Sequence, residues 1–172
     1  MNRTFVSFFV IAFIWSSPVM ANDNAGVFFY GPPPSNAQVA SLATGADVTT
    51  TIEGSLTNII VKWPDVSITI SIDSAWKREV QLSGIRGWLS QFPAHERNSE
   101  SVTSFLDRLD RTTTCYGSVI SPGYDKAGKV TTLLKRLLGS SGGFFFSHQS
   151  FYDASGVRIT GLAGAPSALG PI

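Results

Sequence analysis

From Val66 to Ile72 the chain reads VSITISI, with Val66, Ile68, Ile70 and Ile72 alternating strictly with Ser and Thr. Successive side chains of an extended strand point to opposite faces, so a period of two predicts one face on a core and one on water. A chain with such a strand must build a sheet around it, and the flanking sequence supplies the partners. Asp47 to Glu53 and Thr57 to Trp63 are rich in β-branched residues, and Pro64-Asp65 breaks the second from the alternating strand.

Upstream, Gly26 to Gly31 (GVFFYG) predicts an apolar strand stopped by Pro32-Pro33-Pro34. Three prolines fit neither a helix nor a sheet interior, so they predict a stiff extended turn. Ser35 or Asn36 then caps a short helix ending near Ala43.

Downstream the period changes. Leu82, Ile85, Leu89 and Phe92 recur at helical spacing between Trp76 and Phe92, with Pro93 as a stop. Val102, Phe105, Leu106 and Leu109 predict a second helix from Ser99 to Arg111, with Glu100 near its start and Arg108 and Arg111 near its end, as the helix dipole favours. Thr112 to Ser121 reads as a strand. Val130, Leu133, Leu134 and Leu137 mark a helix ending at Gly139, and Gly142 to Gln149, with Phe144-Phe145-Phe146, reads as a strand buried on both faces. Tyr152 to Gly156 is a turn into Val157–Thr160. The expected fold is α+β and two-layered: a largely antiparallel sheet with three to four helices mainly on one face. A weak echo links the halves, each opening on a strand with Tyr-Gly (Tyr30-Gly31, Tyr116-Gly117), and suggests a β-α-β-β duplication.

Residues 1–21 read as a secretory leader. Arg3 is the positive n-region, and Phe5 to Trp15 is an eleven-residue apolar run interrupted only by Ser7. Ser16, Ser17 and Pro18 break it before Val19-Met20-Ala21, which places cleavage after Ala21. Eleven residues are too few to span a bilayer, which takes about 20. The organisation is therefore a signal peptide over 1–21, one domain over 22–160 and a Gly/Ala/Pro-rich flexible tail over 161–172.

The 13 Lys and Arg and 12 Asp and Glu include Arg3 of the leader, so the mature chain is formally neutral. A neutral chain with scattered cations argues against nucleic acid or an anionic membrane as partner, since both demand a basic surface, and the short apolar run predicts no stable membrane anchor after cleavage. Cys115 is the one cysteine, so no internal disulfide is available and burial must hold the domain.

Motifs for chemistry are sparse. His95 and His148 are the only histidines and show no zinc spacing, so no metal or cofactor is expected. Ser74-Ala75-Trp76-Lys77 matches S-x-x-K without the companion motifs that give it meaning. The Gly139–Gly143 run follows a helix instead of preceding one, the wrong order for a phosphate cradle. Cys115 and His148 are the candidate catalytic residues, since neighbouring strands could pair thiol with imidazole. Against that, a lone cysteine is most often a small buried hydrophobe. Tyr30, Pro33, Trp76 and Trp88 are the candidate binding residues, because Tyr and Trp anchor interfaces when one side stays exposed. Gly84 and Gly87 would permit close approach in a cleft beside the Trp76–Phe92 helix.

The residues carry no resemblance to a characterised family. The expected function is an exported soluble non-catalytic domain that binds a protein or a cell-envelope component. The alternatives are a small exported hydrolase or thiol enzyme using Cys115 and His148, and a small-ligand carrier. Localisation is expected to be periplasmic or secreted, from a bacterial source.

Overall fold

The computed structural model describes residues 23–75, 77–90, 100–125, 127–161 and 169. The leader, Trp76, the His95 loop and most of the tail lie outside the described residues.

Eight strands form one antiparallel-paired sheet: β1 (Asp23–Phe29), β2 (Asp47–Glu53), β3 (Leu56–Lys62), β4 (Ser67–Asp73), β5 (Thr114–Ser121), β6 (Gly143–Ser147), β7 (Ser150–Asp153) and β8 (Arg158–Gly161). Among the described residues four α-helices accompany them: α1 (Asn36–Leu42), α2 (Arg78–Leu89), α3 (Glu100–Asp110) and α4 (Lys129–Leu138). The spatial order is β2-β3-β4-β5-β1-β6-β7-β8. The α+β class and the antiparallel sheet are as the sequence predicts.

The centre is β1. It pairs with β5 from Asp23↔Ile120 to Phe29↔Thr114 and with β6 from Gly26↔Phe146 to Phe29↔Gly143. Ala25 to Phe29 are all buried. Ala25, Val27 and Phe29 enter one core, with Val39 of α1, Val130 to Leu138 of α4 and the inward row Ile59, Val61, Ile68 and Ile70. Phe28 enters a second core, with Leu82, Ile85 and Leu89 of α2, Phe105 and Leu109 of α3, and Phe144, Phe146 and Phe151. Adjacent residues of one strand thus serve opposite faces.

This corrects the expectation of helices mainly on one face: α1 and α4 cover one side of the sheet, α2 and α3 the other. The physical reason is the apolar run at Phe28-Phe29 and again at Phe144-Phe145-Phe146. Strands apolar on both faces need cover on both.

The echo between halves holds in connectivity, each half being a strand, a helix and a three-stranded meander. Placement differs. The first meander docks by its last strand, β4 on β5, and the second by its first, β6 on β1. The Tyr-Gly pairs are not equivalent either, since Tyr30 lies past the end of β1 whereas Tyr116 sits within β5 opposite Val27.

Local chemistry fixes the joints. Ser35 caps α1 in a reciprocal box with Gln38. Both carboxylate oxygens of Asp125 accept from the α4 N-terminus, at Lys129 N (2.9 Å) and Val130 N (3.2 Å). Arg78 donates to the carbonyls of Thr112 and Asp110, and Arg86 pairs with Asp110, which ties α2 to the end of α3. Leu169 packs on the first core, its N–H donating to Gly156 O and its carbonyl accepting from Lys135 Nζ. One residue of the expected tail is therefore fastened to the domain.

Gly143 opens β6 at φ 140°, where a Cβ would lie 1.9 Å from Phe28 O and 3.0 Å from Leu138 Cδ2. Gly87 in α2 has open space instead. Gly143→Ala is expected to cost about 3 kcal/mol or more, among the largest effects of single substitutions. Gly87→Ala, by removing a helix-interior glycine, is expected to stabilise by about 0.5–1 kcal/mol. Urea titration of both variants checks the pair.

Candidate functional site

An eight-stranded open sheet has two edges, and they are built differently. β8 has four residues, a register shift against β7 between Phe151 and Tyr152, and α3 packed beside it. Short length, a bulge and a covering helix are the ordinary means of blunting an edge. β2 has seven residues, runs in unbroken register with β3 from Asp47↔Lys62 to Glu53↔Leu56, and is exposed at every position except Val48. Its other side presents a row of backbone N–H and C=O groups to which no strand of the sheet is paired.

The side chains of β2 divide by face. Val48 reaches the margin of the first core, so Thr50 and Ile52 share that face, and Asp47, Thr49, Thr51 and Glu53 occupy the other. Ile52 is 72% exposed, the most exposed large apolar side chain among the described residues. Across the sheet from it stand Thr57 and then Ile72, so its apolar row continues inward and is open outward.

The residues singled out in the sequence sit elsewhere. Tyr30 is half-buried, its ring 6.1 Å from Phe144 and covered by the Arg111 guanidinium at 4.4 Å. Burial pushes its phenol above the usual tyrosine range, against the opposing charges of Arg108 and Arg111. Pro33 is half-buried in a turn pinned on both sides: Tyr116 donates to Pro34 O (3.3 Å) and Ser141 to Pro32 O. Trp88 is half-buried, edge-on to Phe146 (6.2 Å) and Phe151 (5.7 Å). Tyr30 and Trp88 therefore rim the same core, but the cation over Tyr30 and the rings against Trp88 use much of their surface. Trp76 lies outside the described residues. The open space at Gly87 removes the close-approach argument made for that position.

Cys115 and His148 are not brought together. Cys115 is buried in the second core opposite Phe28, which in turn pairs with Phe144. His148 lies four residues beyond Phe144, which at about 3.3 Å per residue separates the two by about 13 Å along the strand direction. Instead, His148 stacks on Tyr124 at 4.0 Å, and its Nδ1 lies 2.7 Å from Ser147 Oγ. Asp23 accepts from Tyr124 N at 3.1 Å. Burial drives the Tyr124 phenol well above the usual tyrosine range and lowers the His148 imidazole, the Asp23 carboxylate acting against the latter shift. His148 and Gln149 both hold positive φ, 48° and 56°, as the two central residues of the β6–β7 turn. This is the backbone of a type I′ hairpin made without glycine.

Ser74 of the S-x-x-K match is exposed and donates to Ser55 O (3.1 Å). A cleft of about 140 Å³ between α1 and α4 is walled by Trp63, Thr44 and Thr132, with Lys129 and Arg136 at its rim. Both cations are engaged within the fold, Lys129 with Asp65 and Arg136 with Leu42 O and Thr44 Oγ1. Among the described residues no group of three or more His, Cys, Asp or Glu converges, and no helix is long and apolar enough to cross a membrane. Comparison with protein families, curated proteins and solved structures finds no match.

Two outcomes follow from this placement. Cys115 is expected to react with a thiol reagent only as fast as the domain opens, so urea should accelerate labelling steeply. Rapid stoichiometric labelling of the native chain would contradict its burial. For His148 the folded pKa lies below the unfolded value of about 6.5. Its contribution to stability is therefore complete above that value and lost as pH falls through the folded pKa. Urea midpoints should fall between pH 7 and pH 5, and fall less in His148→Asn, since Asn also suits a positive φ.

Proposed function

We propose that this chain is an exported, non-catalytic domain that binds another protein or a cell-envelope component, and that β2 is the edge it uses. One observation carries the reading: β2 is long, regular and exposed, while the opposite edge is blunted. Strand addition to an open edge is a recurring mode of recognition, with affinity from main-chain hydrogen bonds and selectivity from alternate side chains.

Export rests on the leader-like residues 1–21. The position of β1 supports it, because cleavage after Ala21 leaves every residue of Asp23–Phe29 in place. The periplasm or the exterior of a bacterial cell is the compartment this reading assigns. A lone buried cysteine suits such a compartment, where an accessible thiol would be oxidised.

The test places a photo-crosslinking amino acid at Thr51 of the full chain in cells, with Arg158 on the other edge as the control site. The expected result is an adduct from position 51, none from 158, and a mature chain whose N-terminus is Asn22 by mass spectrometry. No adduct at 51 overturns binding through β2, and retention of residues 1–21 overturns export.

A further inference from the structure

We propose that the partner segment at β2 is an extended stretch of another protein with a basic residue at each end, apolar residues on one face and Ser or Thr on the other. The inference rests on the proposed use of β2 and names the chemistry of its occupant.

Three features of the strand specify that segment. The first is charge. The run Val48 to Ile52 is uncharged and is bounded by Asp47 and Glu53, which share a face with Thr49 and Thr51. Asp47 stands across from Lys62 on β3, whereas the residue across from Glu53 is Leu56. Opposite charges directly across a ladder stabilise it and like charges oppose it, so an added strand gains from a cation at each end, most at Glu53. The second is the apolar face. Ile52 at 72% exposure continues a row through Thr57 and Ile72, and Val48 joins the core margin. Apolar side chains opposite Val48, Thr50 and Ile52 would extend that core by one strand. The third is the hydroxyl face, where Thr49 and Thr51 favour hydroxyl-bearing neighbours across the ladder.

The same charges disfavour a second copy of this chain. Self-pairing about a two-fold axis at Thr50 sets Asp47 against the second copy's Glu53 at both ends of the ladder. That places four carboxylates on one short antiparallel pair, a recognised way of preventing edge-to-edge association.

The experiment titrates the isotopically labelled full chain with a peptide of sequence Lys-Val-Thr-Val-Thr-Val-Lys and with its Glu-ended counterpart, reading backbone amide shifts and fluorescence anisotropy. Shifts should concentrate on β2 and the adjoining β3. The Lys-ended peptide should bind about tenfold more tightly, since two end pairs change sign. A chain carrying Asp47→Lys with Glu53→Lys should reverse that preference. Of two peptides N-methylated on alternate residues in opposite phase, one should lose binding and the other keep it, because only one set of N–H groups faces β2.

Equal binding of both peptides, shifts away from β2, survival of binding in both N-methylated forms, or no binding of either peptide at millimolar concentration overturns the proposal. So does a dimer in sedimentation that Ile52→Lys disperses, which would make a second copy the occupant. If position 51 crosslinks to a partner but the Glu-ended peptide binds better, this inference fails and the binding role stands. If the peptides behave as expected but position 51 yields no adduct in cells, the binding role fails instead.

Discussion

Everything in the domain is arranged around the double pairing of β1, to β5 on one side and β6 on the other. The strand is buried on both faces, and its alternate residues hold two separate cores together. Val27 and Phe29 lie against α4 and α1, and Phe28 stacks on Phe144 at 4.8 Å under α2 and α3. Because both partners of β1 belong to the second half of the chain and β1 itself to the first, neither half can close its core alone. The approach of Gly143 to Phe28 O is a local consequence: the two strands meet so closely at the start of β6 that a methyl group has no room.

A sheet built outward from one strand must end somewhere, and the two ends reflect the two ways the meanders dock. The second meander turns β8 toward α3, which covers it. The first docks through β4, so β2 is carried to the far margin, beyond the residues that α2 and α3 bury. The exposure of β2 thus follows from strand order. The proposed binding role depends on that placement more than on any single side chain.

Much of this was legible in the chain. The alternation of Val66–Ile72 marked β4, Ser35 marked the cap of α1, and the helical stripes around Leu82–Leu89 and Val130–Leu137 marked α2 and α4. What stayed hidden was relational. An amphipathic stripe says that a helix buries one side, not which face of the sheet receives it, so the division of the helices was not readable. The separate strand β7 was missed because its turn, His148-Gln149, lacks the Gly or Asn that such a turn normally shows. The edge position of β2 left only a faint trace: DVTTTIE is β-branched yet carries just two apolar residues, a poor composition for a strand covered on either face. Tyr30 and Trp88 attracted attention as aromatics, and their neighbours Arg111, Phe146 and Phe151 come from distant segments that no local pattern reveals.

The position of β1 also dictates an order of events in time. A chain emerging N-terminus first exposes β1 long before β5 and β6 exist to pair with it. The local hairpins β2–β3 and β3–β4 have their partners at hand, whereas the central pairings are of high contact order and close late. The segment Val27-Phe28-Phe29 therefore spends the longest interval of synthesis as an unsatisfied apolar strand. The domain therefore commits to its fold only after β5 and β6, on either side of β1, have been made.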